Sequence, residues 1–247
     1  MSNTYTLGSG SCDLGQVGGK GYGLDRLYKL GYCRVPSGFV VTVDAFERAP
    51  LHEVLRDVGV ALDGLQGDLF AVRSSGVAED LPGHSFAGQY ESFLNVPRSG
   101  VFGAIVDCYQ SASAPRVQAY MAARGLEPKG MAVVVQEMVN AVAAGTVFTA
   151  NPVTGDRGQV LVSAVAGLGD ALVSGQVVPD EWVVQGNGDV IGDSDSLDSY
   201  TVRGLAYIAR WIAHDLGNGP LDLEWALEKG SLPRWLQARP ITALPLA

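Results

Sequence analysis

Apolar residues along this chain keep two different rhythms, and the rhythm changes at about Lys129. Before it, helical spacing dominates. In residues 11–31 a Gly-rich turn passes into a helix with Leu24, Leu27 and Tyr28 on its apolar face and Gly31 as its stop. Residues 39–42 read as a buried strand, 43–48 as a short helix and 52–65 as an amphipathic helix or a pair of turns. Residues 101–125 are helical on both sides of Pro115, a residue that suits a first helical turn. After Lys129 the pattern is that of strands: 131–136, 144–150, 159–165, 181–185 and 189–191, with a short helix entered at Gly167. Residues 192–200 read as a polar loop. An amphipathic helix follows at 203–215, with Leu205, Ile208, Ala209 and Ile212 inward.

Three stretches carry candidate chemistry. In residues 70–96 an apolar run ends at Arg73, a Ser-Ser-Gly turn and the acidic pair Glu79 and Asp80 follow, and a small-residue loop, 83–88, leads into an alternating strand that closes on Val96. Two strands joined by small residues, with an arginine at one lip, suit a phosphate cradle: backbone N–H groups can approach the oxygens, and the guanidinium offers a planar fork. An ordinary polar hairpin loop has the same pattern. Lys20, in Gly18-Gly19-Lys20-Gly21 where the helix begins, is placed to reach an anion, or is a solvated turn lysine. The spacing is not that of a Walker A loop.

The third stretch is the last. Residues 221–226 alternate, so Asp222 and Glu224 project from one face of a strand, and residues 235–240 place Gln237 and Arg239 on one face of its partner. Two carboxylates, an amide oxygen and an arginine converging in this way suit Mg²⁺ and a phosphate. A salt-bridged hairpin would also account for them.

Composition narrows the classes. The chain has 247 residues, 47% apolar and 17% charged, which fits a globular protein of one large domain or two lobes. Its net charge of −9 and pI near 4.7 argue against nucleic-acid binding, which needs clustered Lys and Arg, and lean toward a cationic small substrate. Cys12, Cys33 and Cys108 form no C-x-x-C pair, so a reduced, cytoplasmic setting is expected. The apolar runs are too short to span a bilayer, and no membrane partner is expected.

Five motifs in order, Gly18-Gly19-Lys20-Gly21, Val72-Arg73-Ser74-Ser75, Phe86-Ala87-Gly88-Gln89, Phe148-Thr149-Ala150-Asn151-Pro152 and Leu236-Gln237-Ala238-Arg239-Pro240, resemble the nucleotide-binding region of the phosphoenolpyruvate synthase, pyruvate phosphate dikinase and rifampin phosphotransferase family. The resemblance runs from about Leu14 to Thr242. It implies an α+β, two-lobed ATP-grasp fold with mixed or antiparallel sheets and flanking helices, and ATP and Mg²⁺ held between the lobes. Residues 1–128 would form the N-terminal lobe with the lysine turn and the cradle hairpin. Residues 129–247 would form the C-terminal lobe with an adenine linker and the metal-binding strands. By the same resemblance Lys20, Arg73 and Arg116 contact phosphates, the backbone around Gln136, Glu137 and Val139 reads adenine, and Gln176 joins the nucleotide site. Asp222, Glu224 and Gln237 form the metal set, with Arg239 on phosphate.

Two departures shape the functional reading. The relatives continue into a swivelling domain with a phosphohistidine and into a further substrate domain. Neither is expected here, and no Thr-Ser-His motif occurs. The chain is also shorter than the family pattern between Asp44 and Phe70 and between Asp189 and Leu205, which would open the ATP cleft. His84 then stands as a general base or a phosphate carrier near the γ-phosphate, or as a solvent-exposed loop histidine; Asp80 and Glu79 are rival bases. The reading is a phosphotransferase that moves the γ-phosphate of Mg-ATP to a hydroxyl of a polar small molecule, such as an antibiotic or aminosugar-like compound. The alternatives are the ATP-binding half of a split dikinase that phosphorylates a histidine on a partner protein, and a non-catalytic nucleotide-binding module.

Overall fold

The computed structural model describes residues 2–78, 91–123, 130–167, 178–192, 194, 196–217, 219–242 and 244–245, with Arg116, Tyr120 and Met121 described by their backbone alone. His84, Gln176, the acidic pair at 79–80, the loop 83–88 and the expected helix after Gly167 lie outside the described residues.

The chain divides into two units. The first comprises Met1–Asp25 and Pro36–Met138, the second Arg26–Val35 and Val139–Ala247. The division therefore falls after Met138 and not at 128/129, and a ten-residue excursion near the N-terminus belongs with the C-terminal half. The reason is strand pairing. The run Met131–Glu137, which opens the strand-rich half of the sequence, is the central strand of the first unit's sheet.

In the first unit the elements are β1 (Thr4–Thr6), α1 (Leu14–Lys29, its residues from Arg26 counted with the second unit), β2 (Gly38–Val41), α2 (Val43–Glu47), α3 (Leu51–Asp63), β3 (Leu69–Gly76), β4 (Ser92–Pro97), α4 (Val101–Ser111), α5 (Pro115–Ala123) and β5 (Met131–Glu137). The sheet runs β1-β2-β5-β3-β4, and every pair in it is antiparallel. One face buries Phe39, Phe70, Val72, Val133 and Val135 against Val54, Val58 and Leu62 of α3 and Ile105 and Cys108 of α4. The stretch read as a Ser-Ser-Gly turn is instead the end of β3, with Ser74 opposite Val133 and Ser75 opposite Ala132. Both hydroxyls are satisfied inside: Ser74 Oγ donates to the Glu91 carbonyl at 2.9 Å and Ser75 Oγ to the Val17 carbonyl at 2.7 Å. A polar pair can thus continue a buried strand.

The second unit has β6 (Ala141–Phe148), β7 (Val160–Ala166), β8 (Asp180–Val184), β9 (Val190–Ile191), α6 (Ser199–Asp215), β10 (Leu221–Glu228) and β11 (Arg234–Pro240). Its sheet runs β11-β10-β6-β7-β8-β9, again antiparallel throughout. The helix begins earlier than its apolar rhythm does, because Asp198 caps it: the carboxylate accepts the Thr201 N–H at 2.8 Å. Val202, Leu205, Ala209 and Ile212 of α6 pack on one face of the sheet against Val147, Val162, Trp182, Leu223, Trp225 and Trp235, and Leu27 joins this core. Tyr28, expected inward, is 39% exposed. No helix among the described residues is long and apolar enough to cross a membrane.

Candidate functional site

The face of the second sheet opposite α6 carries the polar set. In the β10–β11 register Asp222 lies opposite Arg239 and Glu224 opposite Gln237, so the four predicted residues form two cross-strand pairs on one face. A bulge after Glu224 then shifts the register, pairing Trp225 with Trp235 and skipping Leu236. Both tryptophans thereby enter the core below, each 1% exposed. Leu236 packs beside Val139, Ala144 and Ala226 as a small apolar floor next to the Glu224–Gln237 pair.

The two pairs differ in kind. Arg239 Nε donates to Asp222 Oδ2 at 2.7 Å, and Nη2 of the same guanidinium lies 2.6 Å from that oxygen. Burial pushes the Asp222 carboxyl above its ordinary value, the Arg239 charge and hydrogen bond pull it down, and Glu224 adds a smaller upward push. Asp222 Oδ1 and Gln237 Oε1 are buried and have no hydrogen-bond partner among the described residues. Buried acceptors are nearly always satisfied, so these two oxygens on neighbouring strands leave acceptor capacity for a water or a ligand. Among the described residues no group of three or more His, Cys, Asp and Glu could hold a metal by itself. What stands here is a carboxylate facing an amide oxygen. That donor set fits Mg²⁺, which takes one or two carboxylates and completes its shell with phosphate oxygens and water.

In the first unit Arg73 and Ser75 share the face of β3 that meets α1. The helix is broken at Gly18, whose φ of 69° and ψ of 176° are non-helical. The break lets the backbone at Gly18 lie directly against Ser75, whose carbonyl oxygen would sit 2.0 Å from a Cβ at that position. Gly21 N–H donates to Ser75 Oγ at 3.0 Å. Lys20, one residue earlier, and Arg73 are both half-buried. The Gly-rich sequence therefore starts a fresh helical segment with a lysine in its first turn, on the strand face that carries Arg73.

Around the expected adenine linker the side chains are engaged locally. Gln136 is 2% exposed, and its Nε2 donates to the Pro36 carbonyl at 3.2 Å. Glu137 Oε1 accepts the Gln66 and Gly67 N–H groups at 2.7 and 2.9 Å, and the Glu137 N–H donates to the Ser37 carbonyl. Both side chains thus brace the first unit. Val139 lies in the apolar floor of the second unit, its carbonyl accepting the Ala141 N–H. The passage from one unit to the other falls between Met138 and Val139. Arg116 sits in the first turn of α5.

Sequence reasoning missed Asp25. This α1 carboxylate is 1% exposed and gathers the Tyr5 hydroxyl at 2.9 Å, the Gly8 N–H at 2.8 Å and the Cys12 thiol at 3.3 Å. Burial and the bond to Asp25 push the Tyr5 hydroxyl up. Asp25 ties the segment after β1 to the helix that presents Lys20. The signal available in the sequence was an acidic residue next to Leu24 on the apolar face.

Two antiparallel sheets packed with helices belong to the α+β class. A solved structure from Pyrococcus horikoshii Ot3 superposes on 92% of this chain and 92% of its own, with a TM-score of 0.51 and 13% identity, a likeness of fold alone. Residues 50–196, more than half of the chain, match the family model for the pyruvate phosphate dikinase AMP/ATP-binding domain, and the chain belongs to that family. It is 33% identical to a rifampicin phosphotransferase of Streptomyces sp, over 94% of this chain and 35% of the relative. It is 30% identical to a probable phosphoenolpyruvate synthase of Methanocaldococcus jannaschii, over 94% of this chain and 26% of the relative. The chain thus spans about a third or less of these relatives' length.

Proposed function

We propose that the chain binds Mg-ATP and passes a phosphoryl group from it to a hydroxyl of a polar small molecule. The observation that carries the reading is the orphaned Gln237 Oε1 facing Glu224, with Arg239 one pair along the same strands. Glu224 and Gln237 would hold Mg²⁺, which when bound neutralises charge on the phosphates. Arg239 would take a phosphate oxygen, as would Lys20, Arg73 and Arg116 from the first unit, since phosphoryl transfer is mainly positioning and electrostatic stabilisation. The main chain at 137–139 and the apolar floor of Val139, Ala144 and Ala226 would receive adenine, and Gln176 would join the nucleotide site. His84 is our candidate for the base that takes the hydroxyl proton.

Membership in an AMP/ATP-binding family supports the donor. Similarity to two rifampicin phosphotransferases, at 33% and 32% identity, supports a small-molecule acceptor. The net charge of −9 favours a cationic one.

The test is product analysis. Purified protein incubated with Mg-ATP and a panel of hydroxylated, ansamycin-like and aminosugar compounds should yield ADP and a new phosphate ester by phosphorus NMR. AMP with inorganic phosphate, or turnover only after a histidine-bearing protein is added, would replace the small-molecule acceptor with a histidine in trans. ATP left intact in every mixture would leave a binding module.

A further inference from the structure

We propose that Thr149 is a positioning residue of the nucleotide site: its hydroxyl fixes the first residue of β10 and, through it, the place of Asp222. The inference rests on the reading that this chain binds Mg-ATP. The motif Phe148-Thr149-Ala150-Asn151-Pro152 supplies no side chain to the polar set, yet it stands where β6 ends beside β10. Phe148 is the last residue of β6 and lies opposite Asp222. Thr149 follows it and meets Leu221, the residue before Asp222, in two bonds. Its N–H donates to the Leu221 carbonyl at 2.9 Å, and the Leu221 N–H donates to Thr149 Oγ1 at 2.7 Å.

The second bond departs from the regular pattern. In an antiparallel pair both N–H groups go to backbone carbonyls. Here a side-chain oxygen takes the Leu221 N–H, so the main chain of β6 can turn away while β10 stays paired. The turn is tied down at once: the Asn151 N–H donates to the Asp156 carbonyl and the Gly155 N–H to the Asn151 carbonyl, both at 2.9 Å. Asn151 Oδ1 accepts the Val153 and Thr154 N–H groups at 2.9 and 3.1 Å. A β-branched residue suits the post, because two heavy atoms on Cβ restrict χ1 and hold the hydroxyl in one place. Thr149 and Leu221 are both buried, and a buried N–H left without an acceptor is costly, so loss of the hydroxyl would shift the strand end. Asp222 follows directly. Its Oδ2 accepts from Arg239, and its buried Oδ1 keeps acceptor capacity, so a shift at Leu221 displaces this carboxylate within the site.

Binding of ATP and of adenosine in Mg²⁺ is measured by calorimetry on the full chain for wild type, Thr149→Val, Thr149→Ser, Asp222→Ala and the Thr149→Val/Asp222→Ala double variant. Asp198→Ala, which removes the cap of α6 and none of the bonds at β10, is the stability control. The expected result is a roughly 10- to 100-fold loss of ATP affinity in Thr149→Val, the scale of losing a partner that orients a site, with adenosine affinity unchanged. Thr149→Ser, which keeps the hydroxyl, should retain most of the affinity. The double variant should bind no more weakly than Asp222→Ala alone, since Thr149 acts through Asp222. Asp198→Ala should lower the melting temperature yet bind ATP as the wild type does. Amide exchange at Leu221, which needs no nucleotide, should speed up in Thr149→Val and not in Thr149→Ser. Wild-type ATP affinity in Thr149→Val, a loss shared by adenosine or by Asp198→Ala, additive losses with Asp222→Ala, or a serine variant as weak as the valine one would each overturn the inference while leaving ATP binding standing. No ATP binding by the wild type would overturn the nucleotide reading and this inference with it, whatever Leu221 exchange shows.

Discussion

Gly18→Ala is expected to be among the most damaging single-methyl changes in the chain. The added Cβ would sit 2.0 Å from the Ser75 carbonyl oxygen and 2.5 Å from its Oγ, and φ at this residue is +69°. A positive-φ extended backbone of this kind alone costs a non-glycine residue roughly 1–3 kcal/mol. The overlap is with backbone, which cannot rotate aside, so α1 must leave β3. That motion breaks the bonds of Ser75 Oγ to Val17 and Gly21 and moves Lys20 off the face that carries Arg73. A total of about 4 kcal/mol is expected, the scale reached only by named steric or polar defects. In a chain of this size that lowers the melting temperature by roughly 10 °C. Gly31→Ala is the control. Its φ is +74°, but nothing lies within 4 Å of the added Cβ, so it should cost only about 1 kcal/mol. Equal effects in the two variants by scanning calorimetry would mean that the contact with Ser75 is not what holds Gly18.

Glu224→Ala should abolish turnover with little loss of stability. Glu224 is half-buried on the face of β10 opposite the tryptophan core, so its removal leaves that core intact. It takes away the charged half of the pair that faces Gln237. Losing one preorganised electrostatic group costs about a hundred- to a thousandfold in rate, and losing a metal ligand in phosphoryl transfer reaches at least the upper end. Arg73→Ala should fail comparably through the phosphates. The check is steady-state turnover beside thermal melting, with Mg²⁺ titrated for each variant. Wild-type turnover in either variant, with the fold intact, would remove that residue from the site.

The β10–β11 hairpin was legible because both strands alternate, and alternation alone puts Asp222 with Glu224 and Gln237 with Arg239. Which residue faces which was not legible. It depends on a bulge at Leu236 that has no local marker and that exists because two tryptophans share one core. The run 131–136 announced a strand but not its sheet: a continuously apolar segment is buried on both faces and carries no record of its neighbours. Placing it after Lys129 with the C-terminal half therefore missed its pairing with β2 and β3. Polar β1 was missed for a related reason, since a three-residue edge strand needs no apolar rhythm. The excursion of Arg26–Val35 into the second unit depends on Leu27 finding the α6 core, a long-range contact that helical spacing cannot encode. Lys20 and Arg73 were singled out through glycine and serine neighbours, yet what those neighbours do became visible only in three dimensions. Gly18 breaks the helix, and Ser75 stitches it to β3.

The central claim is that these residues make a Mg²⁺-dependent ATP site, and calorimetric titration of the protein with ATP, with and without Mg²⁺, tests it most directly. Saturable ATP binding that Mg²⁺ tightens is expected, with the Mg²⁺ gain lost in Glu224→Ala and Gln237→Ala while adenosine affinity is kept. ATP binding that is absent, or indifferent both to Mg²⁺ and to these two substitutions, would contradict it.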